Sequence, residues 1–197
     1  DAETRRQCGD IIQQNSDLLL KLINDVIDLS NLEIGNMKFN FTYCDAIAIC
    51  NNVIDTVNKV KQTQAELRFH TSLTSLKLYT DDSRLQQLLI NLLINATKFT
   101  PQGSITLEVR QESEDFALFS VTDTGCGIPL EKQSSIFNRF EKLNEGAQGT
   151  GLGLSICQLI IERIGGKIWI DSTYTDGCRF YFTHPIHPMN KGKETQA

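Results

Sequence analysis

Three alternate glycines, Gly149, Gly151 and Gly153, lead directly into a stretch of helical apolar spacing that continues to residue 164. Few local patterns restrict a chain more. Glycines let the backbone approach a ligand closely, and a helix starting there presents unpaired N–H groups and a positive end to an anion. The run is not a Walker-type phosphate loop, because no Lys-Ser or Lys-Thr pair follows it, and its spacing differs from the dinucleotide-binding fingerprint. Taken alone it is weak evidence of chemistry, so its meaning depends on what the flanking elements supply.

Those elements alternate between helical and strand periods. Residues 84–98 place Leu85, Leu88, Leu89, Leu92, Leu93 and Ala96 on one helical face, with Asp81, Asp82 and Ser83 available as caps and Pro101 and Gly103 as stops. Strands are predicted at 104–110 and 116–123, then a glycine-punctuated loop, a helix from about 151 to 164, and a closing hairpin at 167–171 and 179–183. Between 37 and 79 the pattern is weaker and supports a strand at 38–43, a helix at about 46–64 and a strand at 67–72.

Upstream, Cys8, Ile12, Asn15, Leu19, Leu22, Val26 and Leu29 recur in alternating steps of four and three, a heptad seam that ends near Gly35. Ile11, Leu20, Ile23 and Ile27 widen the apolar stripe beyond a two-stranded seam, which predicts a helix packed in a bundle. A core helix of one globular domain is the alternative.

Bulk properties exclude several function classes. The net charge, 19 − 24 = −5, argues against broad nucleic-acid binding, which needs a basic footprint. The longest apolar runs fall far short of the roughly 20 residues of a membrane span, so an anchor is expected outside this stretch. The six cysteines show no close pair and read as reduced, cytosolic thiols, a disulfide framework being the alternative. His70, His184 and His187 have no ligand-type neighbours for zinc.

Two further features carry chemistry. On the 84–98 helix, Gln87, Asn91, Asn95 and Lys98 form a polar stripe beside the apolar one. Asparagine is a poor helix former, so this stripe suggests oxygens for a hard cation and an ammonium for phosphate, against the alternative of a solvated face. On the 116–123 strand, Phe119, Val121 and Asp123 share a face, which puts a carboxylate at the end of a core-facing row. A buried carboxylate needs a donor, such as the exocyclic amine of adenine, and Gly125 and Gly127 would let backbone approach a flat ring; a turn with a capping Asp is the alternative. A cation-type stripe, an adenine-type carboxylate and a phosphate-type glycine run together point to one nucleotide site.

These segments resemble the signature boxes of the sensor histidine kinases of two-component systems. Residues 91–100 (Asn-Leu-Leu-Ile-Asn-Ala-Thr-Lys-Phe-Thr) look like the N box, 123–129 the first glycine box, 136–143 (Ile-Phe-Asn-Arg-Phe-Glu-Lys-Leu) the F box and 149–156 the second glycine box. Residues 11–35 are similar to the second helix of the dimerisation and phosphoacceptor hairpin. Order and spacing match, and the resemblance covers about residues 5–186.

The resemblance implies an α+β fold, a two-layer sandwich of a mixed sheet with helices on one face, preceded by a long bundle-type helix. It divides the chain into a partial hairpin helix at 1–35, an ATP-binding catalytic domain at 36–186 and a flexible tail at 187–197. It implies that Asn95 coordinates magnesium, that Asn91 and Lys98 contact phosphates, that Phe99 lies along the nucleotide and that Asp123 reads adenine. Gly125, Gly127 and Ile128 would frame the base, and Phe137 and Phe140 would anchor a lid at about 138–150. Arg139 would reach the phosphates, and Gly149, Thr150, Gly151, Leu152, Gly153 and Leu154 would hold the triphosphate from the other side.

The implied function is transfer of the ATP γ-phosphoryl to a histidine, for relay to an aspartate on a response-regulator receiver domain. The implied parent is a homodimer anchored in the cytoplasmic membrane, with this portion cytoplasmic. None of the three histidines has the acceptor context of the family, so the chain is not expected to phosphorylate itself. Cys178 stands where relatives have Ser or Thr, which would weaken a hydroxyl contact in the adenine pocket. Two other readings remain: a nucleotide-binding or dimerisation module without kinase activity, and a gyrase- or mismatch-repair-type ATPase. The latter would use a Glu at the position of Asn91 to activate water, and Asn cannot act as that base.

Overall fold

The computed structural model describes residues 2–142 and 149–188. The heptad stretch is one long helix, α1 (Ala2–Glu33), which ends at Gly35 in a left-handed conformation (φ +72°). Its Ile12, Leu19, Leu20, Ile23 and Ile27 are exposed, while Leu29 is buried and Leu22 and Leu32 pack against the core.

Then come β1 (Thr42–Asp45), α2 (Ala46–Val60), β2 (Glu66–His70) and β3 (Lys77–Thr80). The strand expected at 38–43 is displaced because its antiparallel partner β3 is short, so pairing starts only at Thr42 opposite Thr80. Residues before it are held instead by ring stacking of Phe39 on Phe41 and Phe41 on Tyr79, each at 5.6 Å. Asp45 caps α2 by accepting the Ile47 N–H at 3.0 Å. The helix stops at Val60, short of the expected end. Past it, Thr63 and the Gln64 N–H (3.1 Å) bond to the carbonyls of residues 100 and 101.

The remaining elements are α3 (Asp82–Phe99), β4 (Ser104–Gln111), β5 (Phe116–Asp123), the single turn α4 (Leu130–Gln133), α5 (Gly153–Ile164), β6 (Ile168–Ile170) and β7 (Arg179–Pro185). Five strands form a mixed sheet in the order β2-β4-β5-β7-β6, parallel only between β2 and β4. Helices α2, α3 and α5 cover one face, α3 turning its predicted leucine stripe onto the strands. At the centre Phe119 and Phe182 stack at 4.5 Å, both fully buried. Helix α1 lies against α5, outside this two-layer core.

Among the described residues no helix is long and apolar enough to cross a membrane. Of the expected lid, residues 143–148 lie outside the described residues, as do residues 189–197 of the expected tail.

Candidate functional site

One cavity opens between α3, the end of β5, the start of β7 and the loop into α5. The Asp81 carboxylate caps α3 at the Arg84 N–H (3.1 Å), and the leucine stripe clamps the helix on the sheet; the opposite stripe of Asn91, Asn95 and Lys98 then lines this cavity. Strand alternation carries Val121 and Asp123 to its floor.

Asp123 is 4% exposed. Its Oδ1 accepts the Gly125 N–H at 2.9 Å and the Cys178 N–H at 3.2 Å, so both bonds fall on one oxygen and Oδ2 is on offer to the cavity. Burial raises its pKa above the usual carboxylate value, and those two N–H groups, followed by the Thr100 hydroxyl, oppose the rise. Phe99, Ile128, Ile136, Leu154, Cys178 and Phe180 surround this end, making an apolar slot with one acceptor. Such a slot suits a flat heterocycle that donates an N–H. The Thr100 hydroxyl, buried below Gly125, lies beside this carboxylate and acts on it in the same sense as the two N–H groups.

The other end is polar and holds Asn91, Asn95, Lys98, Lys142, Lys21, Glu141 and Thr150. A Cβ on Gly149 would sit 3.1 Å from Lys98 Nζ, and one on Gly153 would be 3.9 Å from both Asn91 Cγ and Asn95 Nδ2. The carboxamide stripe and the glycine run therefore face each other at van der Waals distance. Lys98 has its pKa lowered, first by burial and then by the like charges of Lys21 and Lys142, with Asp25 opposing. A crowd of ammonium groups beside a helix start suits an anion.

The glycines have separate duties. Gly151 (φ +71°) accepts the Phe140 N–H on its carbonyl at 2.9 Å, and a Cβ there would stand 2.8 Å from Phe140 Cα. A side chain on Gly125 would collide with the Phe99 carbonyl.

Most of the expected site residues thus converge: Asn91, Asn95, Lys98, Phe99, Asp123, Gly127, Ile128, Gly149, Thr150, Gly151, Gly153 and Leu154 all line the cavity. Five do not. Gly125 backs the carboxylate, and Leu152 is fully buried as the residue before α5. Phe137 meets Phe180 edge-on at 6.2 Å, and Phe140 is 61% exposed. Arg139 is ion-paired with Glu33 at the end of α1. Sequence reasoning missed Lys21 and Phe180. The alternation of β7 could have flagged Phe180, but no local signal ties Lys21 to a site some seventy positions onward.

Residues 80–188 match the family described as histidine kinase-, DNA gyrase B-, and HSP90-like ATPase. The circadian input-output histidine kinase CikA of Synechococcus elongatus is 36% identical over 186 residues, covering 90% of this chain and 24% of that protein. The crystal structure of full-length ShkA in complex with AMPPNP superposes with a TM-score of 0.80 at 27% identity, covering 91% of this chain and 38% of the other. The nucleotide-free catalytic domain of the histidine kinase ThkA gives 0.67 at 32%, covering 76% of this chain and 99% of that one. ThkA in complex with the response regulator TrrA gives 0.78 at 28%, with 97% and 54% covered. The chain spans less than half the length of the curated relatives it matches.

Proposed function

Because this chain belongs to the histidine kinase-, DNA gyrase B- and HSP90-like ATPase family, as one of its histidine kinases, we propose that its cavity binds magnesium ATP and that the parent protein transfers the γ-phosphoryl to a histidine. The observation that carries this reading is the Asp123 carboxylate, held by two backbone N–H groups on Oδ1 at the apolar end of the cavity that has Lys98 and the glycine run at its other end. The adenine N6 amine donates to Oδ2, Phe99 and Ile128 flank the ring, and the phosphates lie between Lys98, Asn91 and the N–H groups of residues 149–154.

Asn95, with Asn91 beside it, would hold magnesium, which when bound neutralises charge on the phosphates. No group of three His, Cys, Asp or Glu among the described residues could hold a metal, and magnesium needs only one or two protein oxygens when phosphates supply the rest. The protein's part in the transfer is positioning and charge neutralisation: the β–γ bridging P–O bond breaks, an N–P bond forms on the acceptor imidazole, and ADP leaves. The domain at 36–186 carries this site, and α1 belongs to the bundle through which the parent dimerises and meets the receiver domain whose aspartate takes the phosphoryl onward. The exposed apolar face of α1 supports that division, as does the ThkA complex with a response regulator. Anchoring of the parent in the cytoplasmic membrane belongs to the same reading.

Thermal melting with ATP, GTP and magnesium tests the site, since a bound ligand raises stability by an amount set by its concentration over Kd. A magnesium-dependent shift for ATP that is absent for GTP and lost in Asp123→Ala is expected; equal shifts for both nucleotides would refute an adenine site. Phosphorylation of a separately supplied hairpin carrying the acceptor histidine tests the transfer. Binding without such transfer would leave a nucleotide-binding module.

A further inference from the structure

The polar end of the cavity is walled on one side by α1. Lys21 and Asp25 lie one helical turn apart on that helix, and Lys21 lines the cavity. Asp25 is 8% exposed, and its Oδ2 accepts the Thr150 hydroxyl at 2.8 Å. Thr150 sits between Gly149 and Gly151, in the loop that opens the anion site. Further ties hold α1 in place: Gln87 Nε2 donates to Asp28 Oδ2 at 2.7 Å, Arg84 pairs with the same oxygen at 3.9 Å, and Glu33 pairs with Arg139.

The charges around Asp25 point to a ligand. Lys21 and Lys142 bring like charge to Lys98, and Asp25 acts on Lys98 against them. The carboxylates lining the cavity itself are Glu141 at this end and Asp123 at the far one. A carboxylate oxygen that takes the hydroxyl of an anion-binding loop, among ammonium groups, stands in the electrostatic place of a phosphoryl oxygen. Resting on the nucleotide reading above, we propose that α1 is part of the phosphate subsite: Lys21 lends a cation to the terminal phosphates of ATP, and Asp25 competes with those phosphates for Thr150 and Lys98. The position of α1 and the number of phosphates on the bound nucleotide are then coupled, because ATP displaces the Asp25 contact while adenosine leaves it intact.

Calorimetric titration of the whole chain with adenosine, ADP and ATP, all with magnesium at one ionic strength, tests this in the unaltered protein, Asp25→Asn and Lys21→Gln. Asparagine keeps the acceptor oxygen and removes the charge. For Asp25→Asn, ATP binding tightens by about tenfold, ADP by less, and adenosine not at all; for Lys21→Gln, ATP binding weakens by about fivefold with adenosine unchanged. Weaker ATP binding in Asp25→Asn would mean that Asp25 helps to hold the metal or the phosphates, and the competition is overturned. Equal shifts for adenosine and ATP would place the effect outside the phosphates and overturn it also. If the unaltered chain binds no adenine compound, the nucleotide site itself falls; if it binds ATP and neither α1 substitution changes the affinity, only the present inference falls.

Discussion

Asp123 and Cys178 are joined twice: the Asp123 N–H donates to the Cys178 carbonyl at 2.8 Å, and the Cys178 N–H donates to Asp123 Oδ1 at 3.2 Å. The carboxylate proposed to read the base is thus set by the backbone that carries the thiol, and the Cys178 side chain lines the same cavity. Burial, followed by the neighbouring Asp123 carboxylate, pushes this thiol up to about 12, so it stays neutral and is a poor donor.

A hydroxyl at that position donates better. Cys178→Thr should therefore tighten ATP binding by about threefold, the scale of one net hydrogen bond. Calorimetry on the two proteins decides it: unchanged affinity would mean that the base is read through Asp123 and the backbone alone.

Gly151 combines positive φ with contact against the backbone of Phe140. Gly151→Ala should break the bond from the Phe140 N–H and move the loop, weakening ATP binding by about tenfold. Adenosine binding should hold, because Asp123 is at the other end of the cavity. A parallel loss for adenosine would show that the loop supports the whole pocket.

His184 is fully buried, with Nδ1 2.6 Å from the Pro185 carbonyl and Nε2 2.9 Å from Thr80 Oγ1. A carbonyl only accepts, so Nδ1 carries the proton and Nε2 accepts from Thr80. Burial lowers the pKa from 6.5 to about 4. The unfolded chain then binds the proton first, so this group's contribution is complete above pH 6.5 and declines as pH falls toward 4, by up to about 3 kcal/mol. Asp123, with its raised pKa, has the opposite slope in the acid range above 3.8. Denaturant titrations from pH 7.5 to 4.5 should accordingly show a shallower loss in His184→Gln than in the unaltered chain; identical slopes would remove His184 as the cause.

Leu89 is fully buried under α3, on the face opposite the carboxamides. Leu89→Ala leaves a cavity between helix and sheet and should lower unfolding stability by about 3 kcal/mol. The denaturant midpoint should fall with its slope unchanged. A loss below about 1 kcal/mol would mean that the layer collapses around the gap.

Elements with strong periods were legible in the sequence. The span of β5, the stripe and N-cap of α3, and the end of α5 before Gly165 all follow from local rules, since capping and alternation involve residues only a few positions apart. Strand β3 was not, because four residues, with only Leu78 and Thr80 turned inward and one of those polar, are too few for an alternation to stand out. The shift of β1 has the same origin, as a strand's usable length is set by its partner rather than by its own composition.

The sequence by itself determined which side chains share a face, and so which chemistry was on hand: a carboxylate behind an apolar row, carboxamides and a lysine on a helix, and glycines at a helix start. Tertiary structure alone decided that Asp25 meets Thr150 across 125 positions, and that Arg139 pairs with α1 instead of lining the cavity. Periodicity records only the orientation of a residue about its own element. Which charges meet across elements depends on how helices seat on the sheet and on one another, and that is settled by the fit of buried surfaces, for which no short stretch of sequence carries a signal.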